Sequence, residues 1–167
     1  MNDDYTKALL EALDHATEGL ISGRVSPTEW HNSVARELFV HHLAAYAEAS
    51  GKDERDVLDQ VKKIVGAQVD YLNKFTDDIE RGRYEDMPDA LEARSTLYAG
   101  ALRGTWYSGR YPSLTQVPGD GQTRCLSNCL CDLSEEDDGI HWNLHAKESC
   151  EDCEAMAAGS PYSKGNE

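Results

Sequence analysis

The first 124 residues of this 167-residue chain contain no cysteine, and basic residues are scarce throughout, with 16 Lys and Arg against 31 Asp and Glu and a formal net charge of −15. The shortage of positive charge disfavours nucleic acid as the main partner, because a phosphate-binding surface needs clustered Lys and Arg. The deficit runs along the whole chain: residues 1–119 hold 13 basic and 20 acidic side chains, residues 120–167 hold 3 and 11. No apolar run approaches the roughly 20 residues that span a membrane, so no membrane association is expected. Met1-Asn2-Asp3-Asp4 lacks the basic and apolar regions of a secretory signal, which points to synthesis and retention in a reducing cytosol. Glycine-rich phosphate loops, Gly-x-Ser-x-Gly and His-Glu-x-x-His are missing too. Acidic pairs are so common that none stands out as a general acid or base. Glu37 and His41 have no matching pair elsewhere, which argues against a di-iron bundle site. The chain is therefore expected not to be an enzyme.

Hydrophobic residues make up 40% of the chain, enough for a core, and in the first two thirds they follow helical spacing. Leu9, Ala12, Leu13, Ala16 and Leu20 define a helix that should stop near Gly23. Ser26-Pro27-Thr28-Glu29 predicts a capping box with proline at the first helical position. The helix that follows would bury Trp30, Val34, Leu38, His41, Ala45 and Ala49 and end at Gly51, with His42 as a solvated neighbour of His41. Leu58, Val61, Val65, Gln68, Leu72, Phe75 and Ile79 step by three and four, the spacing of a helix packed lengthwise on another, over about Asp53 to Arg81. A fourth helix, from after Pro88 to about Ser108, carries Leu91, Ser95, Tyr98, Leu102 and Trp106. Its small residues Ala99, Gly100, Ala101 and Gly104 leave room for a close neighbour, whether in this chain, a second copy or a partner.

Glycine and proline then interrupt the pattern over 109–124. The expected architecture is mainly α: a helical body over 1–108, a linker over 109–124 and a small C-terminal module over 125–167. Within the module, Leu126–Leu133 and Gly139–Leu144 predict two strands joined by an acidic turn at 134–139, and Cys150–Ala158 predicts a short closing helix.

All five cysteines lie in that module, as Cys125-x3-Cys129-x-Cys131 and Cys150-x2-Cys153. Two close-set groups joined by a short connection fit a tetrahedral zinc site. A segment this short and acidic usually needs a metal or disulfides to fold, and an odd count cannot pair fully within the chain. Cys150 and Cys153 form one half. Cys129 and Cys131 share a strand face, and Cys125 competes with Cys129 for a place. His141 and His145 are alternative ligands. Four protein ligands leave no open position, so such a site is structural. Thioredoxin-like chemistry at Cys150-Glu151-Asp152-Cys153 is disfavoured, because the intervening acids raise thiol pKa values.

Three segments between about Glu85 and Tyr162 carry a resemblance. They are Ala93-Arg94-Ser95-Thr96-Leu97-Tyr98-Ala99-Gly100-Ala101-Leu102-Arg103-Gly104, then Cys125-Leu126-Ser127-Asn128-Cys129-Leu130-Cys131, then Trp142-Asn143-Leu144-His145 with Cys150-Glu151-Asp152-Cys153 and a closing Ser160-Pro161-Tyr162. Together they resemble the Mu F-like head-morphogenesis family, the minor head proteins of tailed bacteriophages. The resemblance implies a non-enzymatic virion component that binds portal or capsid proteins, located in the phage head after synthesis in the host cytoplasm. The heptad stripe of the third helix and the small-residue face of the fourth predict a homo-oligomer or a docked portal or capsid partner. The rival reading is a cytosolic zinc-ribbon adaptor with a helical oligomerisation domain.

Overall fold

A computed structural model describes residues 3–122, 124, 129–145 and 149–164. Four long helices come first: α1 (Asp3–Ile21), α2 (Pro27–Ser50), α3 (Glu54–Glu80) and α4 (Pro88–Arg110). A two-stranded antiparallel hairpin, β1 (Asp132–Glu136) with β2 (Gly139–Asn143), and a short helix α5 (Glu151–Ala158) follow. The chain is thus mainly helical with a small hairpin near its C-terminal end. Among the described residues, no helix is long and apolar enough to cross a membrane.

Local chemistry sets the helix ends. The Ser26 hydroxyl accepts the Glu29 N–H at 3.2 Å and the Glu29 carboxylate accepts the Ser26 N–H at 2.8 Å, closing the capping box before Pro27. Hydrogen bonds from the Ser26 N–H and, at 2.8 Å, the Ser26 hydroxyl to the Glu29 carboxylate hold it below its ordinary pKa. Gly51 ends α2 at φ +65°, a left-handed conformation that glycine adopts without strain. Asp53 then caps α3 through the Arg55 N–H at 3.0 Å.

α2 packs against α1, α3 and α4, while α3 and α4 barely touch. Leu9, Leu13, Trp30, Val34, Leu38, Val61, Leu72, Phe75 and Leu102 are fully buried around it. Phe75 forms the aromatic centre. Trp30 meets it edge-on at 5.4 Å, Tyr84 does so at 5.1 Å, and the Arg94 guanidinium lies 4.3 Å from its ring centre.

The two adjacent histidines are placed the other way round from the sequence expectation. His42 is fully buried and its Nδ1 lies 2.6 Å from the Thr105 hydroxyl of α4, while His41 is half-buried beside Glu37 at 3.7 Å. The buried stripe advances in steps of four (Trp30, Val34, Leu38, His42) and so drifts around α2, from Trp30 against α1 and α3 to His42 against Thr105 of α4. Burial, reinforced by His41, lowers the His42 pKa from 6.5 to about 4. A histidine with a depressed folded pKa contributes stability that is fully present above the unfolded value near 6.5. That stability is lost as pH falls toward about 4. The wild-type protein should therefore lose about 3 kcal/mol more than His42→Gln between pH 7 and pH 4. Denaturant titrations of the helical signal check this, and parallel pH profiles would contradict it.

The small-residue face of α4 is covered by the chain itself. Gly104 sits so close to the following loop that a Cβ there would stand 2.4 Å from the carbonyl carbon and oxygen of Gly119. Ala101 is likewise buried. The close neighbour at Gly104 is therefore the chain's own 117–120 turn. Gly104→Val should destabilise the protein by about 1–3 kcal/mol, the usual cost of overpacking against backbone. An unchanged denaturation midpoint would show that the 117–120 turn yields freely.

α4 ends at Arg110, two residues past the expected boundary, and the chain beyond it lies packed. Tyr111 and Val117 are buried, and the Asp120 carboxylate accepts the Val117 N–H at 2.8 Å and the Gln122 N–H at 2.9 Å. Burial raises the Asp120 pKa against the pull of these bonds.

In the hairpin, Asp132 pairs with Asn143 and Glu136 with Gly139, leaving only Asp137 and Asp138 in the turn. β1 thus starts later than expected and includes acidic residues assigned to the turn. Glu135 is accommodated by Arg110 at 3.2 Å and Lys164 at 3.6 Å. Tyr162 then closes on β2, exchanging backbone hydrogen bonds of 2.9 and 2.8 Å with Ile140, while its hydroxyl donates to the Met156 carbonyl. Gly139, at φ +150°, makes this approach possible, because a Cβ there would lie 2.6 Å from the Tyr162 carbonyl oxygen.

Candidate metal centre

A second core, apart from that of the four helices, gathers Tyr107, Tyr111, Val117, Cys129, Cys131, Leu133, Ile140, Trp142 and Cys153. Tyr107 and Tyr111 stack with ring centres 6.2 Å apart, and the Tyr107 hydroxyl accepts the Leu133 N–H at 3.3 Å. The cysteines therefore rest on the last turns of α4.

Cys129 and Cys131 lie in the extended segment just before β1, and Cys153 lies in the first turn of α5. All three are buried, and their sulfurs lie within 4.8 Å of one another, Cys129 and Cys153 at 3.5 Å. Sulfurs around a tetrahedral zinc stand roughly 3.8 Å apart, given a Zn–S bond of about 2.3 Å. Cys150 is half-buried at the N-cap of α5, one turn before Cys153, and its thiol reaches the Cys153 sulfur. Cys125 lies outside the described residues. Arg124 next to it is tied to the start of α5, its N–H donating to Asp152 at 2.8 Å and its guanidinium pairing with Glu151 at 2.8 Å.

The three buried thiols differ in their electrostatics. Burial pushes the Cys129 thiol up, against the Cys131 N–H, which donates to its sulfur. Burial also raises Cys153 steeply, and sharing protons with Cys129 and Cys150 raises it further. Cys131 moves the other way: burial is outweighed by the His145 backbone N–H and by its contacts with Cys153, Cys129 and Ser149. Backbone N–H groups aimed at two sulfurs stabilise thiolates. Several thiolates this close and this buried repel one another unless a cation sits between them. The cluster is thus suited to hold a metal ion.

The two histidines are placed differently. His141 Nε2 pairs with Asp138 at 2.7 Å, which raises the His141 pKa and lowers that of Asp138. Its side chain projects from the hairpin face opposite Leu133 and Trp142, which pair with each other across the strands on the buried side. His145 is exposed past the end of β2 and meets the cluster through its backbone. Sequence reasoning missed Tyr107 and Tyr111 as supports and had Tyr162 only as the end of the Ser-Pro-Tyr segment. The signal available was an aromatic pair four residues apart at the end of a helix, and a tyrosine after the closing proline. No family model matches the chain, and no curated protein or solved structure is significantly similar to it.

Proposed function

We propose that the cysteine cluster is a structural zinc site and that the protein is a non-enzymatic accessory protein of a tailed-phage head, binding portal or capsid proteins. The observation that carries the metal part is the convergence of three buried sulfurs from two distant segments. Cys129, Cys131 and Cys153 would hold the ion, with Cys150 as the fourth ligand. Thiolate sets favour zinc among the abundant divalent metals. Four thiolates leave no position for water or substrate, so the ion would supply rigidity and no chemistry. The particle part rests on the resemblance of the sequence.

Gradient fractionation of lysates from particle-producing cells tests the particle part. The protein should co-sediment with heads at a fixed copy number. Recovery only with free soluble protein, zinc still bound, would replace this reading with the cytosolic adaptor.

A further inference from the structure

A cleft of about 660 Å³ opens where the helical body meets the C-terminal module. Tyr46 and Ala49 of α2, Tyr111 and Ile140 give it an apolar floor, and Lys52, Arg110 and Lys164 stand around it with a single carboxylate, Glu135. That carboxylate is shared by Arg110 at 3.2 Å and Lys164 at 3.6 Å. Lys52 makes no ion pair among the described residues. The cleft therefore has excess positive charge, in a chain where acids outnumber bases 31 to 16. Lys52 follows the C-cap of α2, and Arg110 lies in the last turn of α4. The carbonyl end of α4 favours a cation at Arg110, whereas Lys52 stands between the end of α2 and the N-cap Asp53 of α3.

We infer that this cleft binds an acidic segment of a partner protein, with one apolar side chain on the floor and its carboxylates on Lys52, Arg110 and Lys164. A pocket of several hundred Å³ with an apolar base and a few charged groups at its edge has the form of a recognition site. Because the chain's net charge repels acidic partners in general, an acidic ligand can be held only where the local charge is reversed. Ile140, Glu135 and Lys164 come from the module, whereas Tyr46, Ala49, Lys52 and Arg110 come from the body. The cleft exists only while the module is folded against α4, and to that extent the inference rests on the structural-metal reading.

A peptide array tests it with zinc-loaded full-length protein. Acidic heptapeptides, each with one central apolar residue, are compared with counterparts in which Asn and Gln replace Asp and Glu. Retention of the best acidic peptides should exceed that of their amide forms by about tenfold, and Lys52→Glu with Arg110→Glu should remove about that advantage. Lys52→Glu alone, on an exposed side chain, should weaken retention in the same direction with helix content and zinc content unchanged. Equal retention of acidic and amide peptides, retention of neither, or undiminished retention by the double variant overturns the inference. Failure of the array with one zinc per chain would leave the metal reading standing. Acidic-peptide retention by protein that never held zinc would overturn the metal reading and leave the cleft.

Discussion

Replacing Cys153 with serine should abolish zinc binding and unfold the C-terminal module while the four-helix core persists. Cys153 is fully buried and its sulfur meets those of Cys129 and Cys131. Serine is a poor zinc ligand, and a structural zinc contributes on the order of 10 kcal/mol to the folding of a small module. The hairpin offers little to replace it, because two strands alone are marginal in water. The loss should spread backward through the stack of Tyr107 and Tyr111 into the last turn of α4 and stop there, since Leu91, Tyr98 and Leu102 belong to the other core. Hydrogen exchange read by mass spectrometry should show lost protection from about Tyr107 onward and unchanged protection over α1 to α3. Collapse of protection in α1 to α3 would mean that the two cores form one cooperative unit.

Phe75→Ala should cost about 3–5 kcal/mol, the range for truncating a fully buried aromatic. The ring is fully buried, touches Trp30 and Tyr84 edge-on, lies 6.4 Å from the ring of Tyr98 and carries Arg94 on its face. Alanine leaves a cavity among large side chains, and it also leaves the Arg94 guanidinium over a void, held only by Tyr84 and Asp78. Because α3 attaches mainly to α2, losing Phe75 should loosen α3 first. The unfolding transition of the helical body should shift to lower denaturant, with zinc content unaffected. A shift worth less than about 1 kcal/mol would place the aromatic cluster outside the structural core.

The helical body was legible because its signals are local. A capping box, a left-handed glycine and a heptad stripe each act within a few residues, so Ser26, Gly51 and the Val61–Phe75 series carried their meaning in the sequence. His42 was misplaced because its burial depends on how α2 crosses α4, which no single-helix pattern contains. The spacing of Gly100, Ala101 and Gly104 signalled a close neighbour but could not say that Gly119 of the same chain fills that role. The hairpin register was misread for a similar reason. Pairing of Leu133 with Trp142, and the return of Tyr162 to Ile140, place the strands through backbone contacts that tolerate Glu135 and Glu136 at the surface. In the cluster, the two-group cysteine spacing was visible from the start. The His145 N–H aimed at Cys131 and the tyrosine platform were not, since the first comes from beyond β2 and the second from the end of α4.

Elemental analysis of protein purified without chelators tests the central claim most directly, paired with exchange measurements before and after zinc removal. The account predicts one zinc per chain, and loss of protection over β1, β2 and α5 once it is removed. Metal-free protein whose module is as well protected as that of the zinc-treated sample would contradict it.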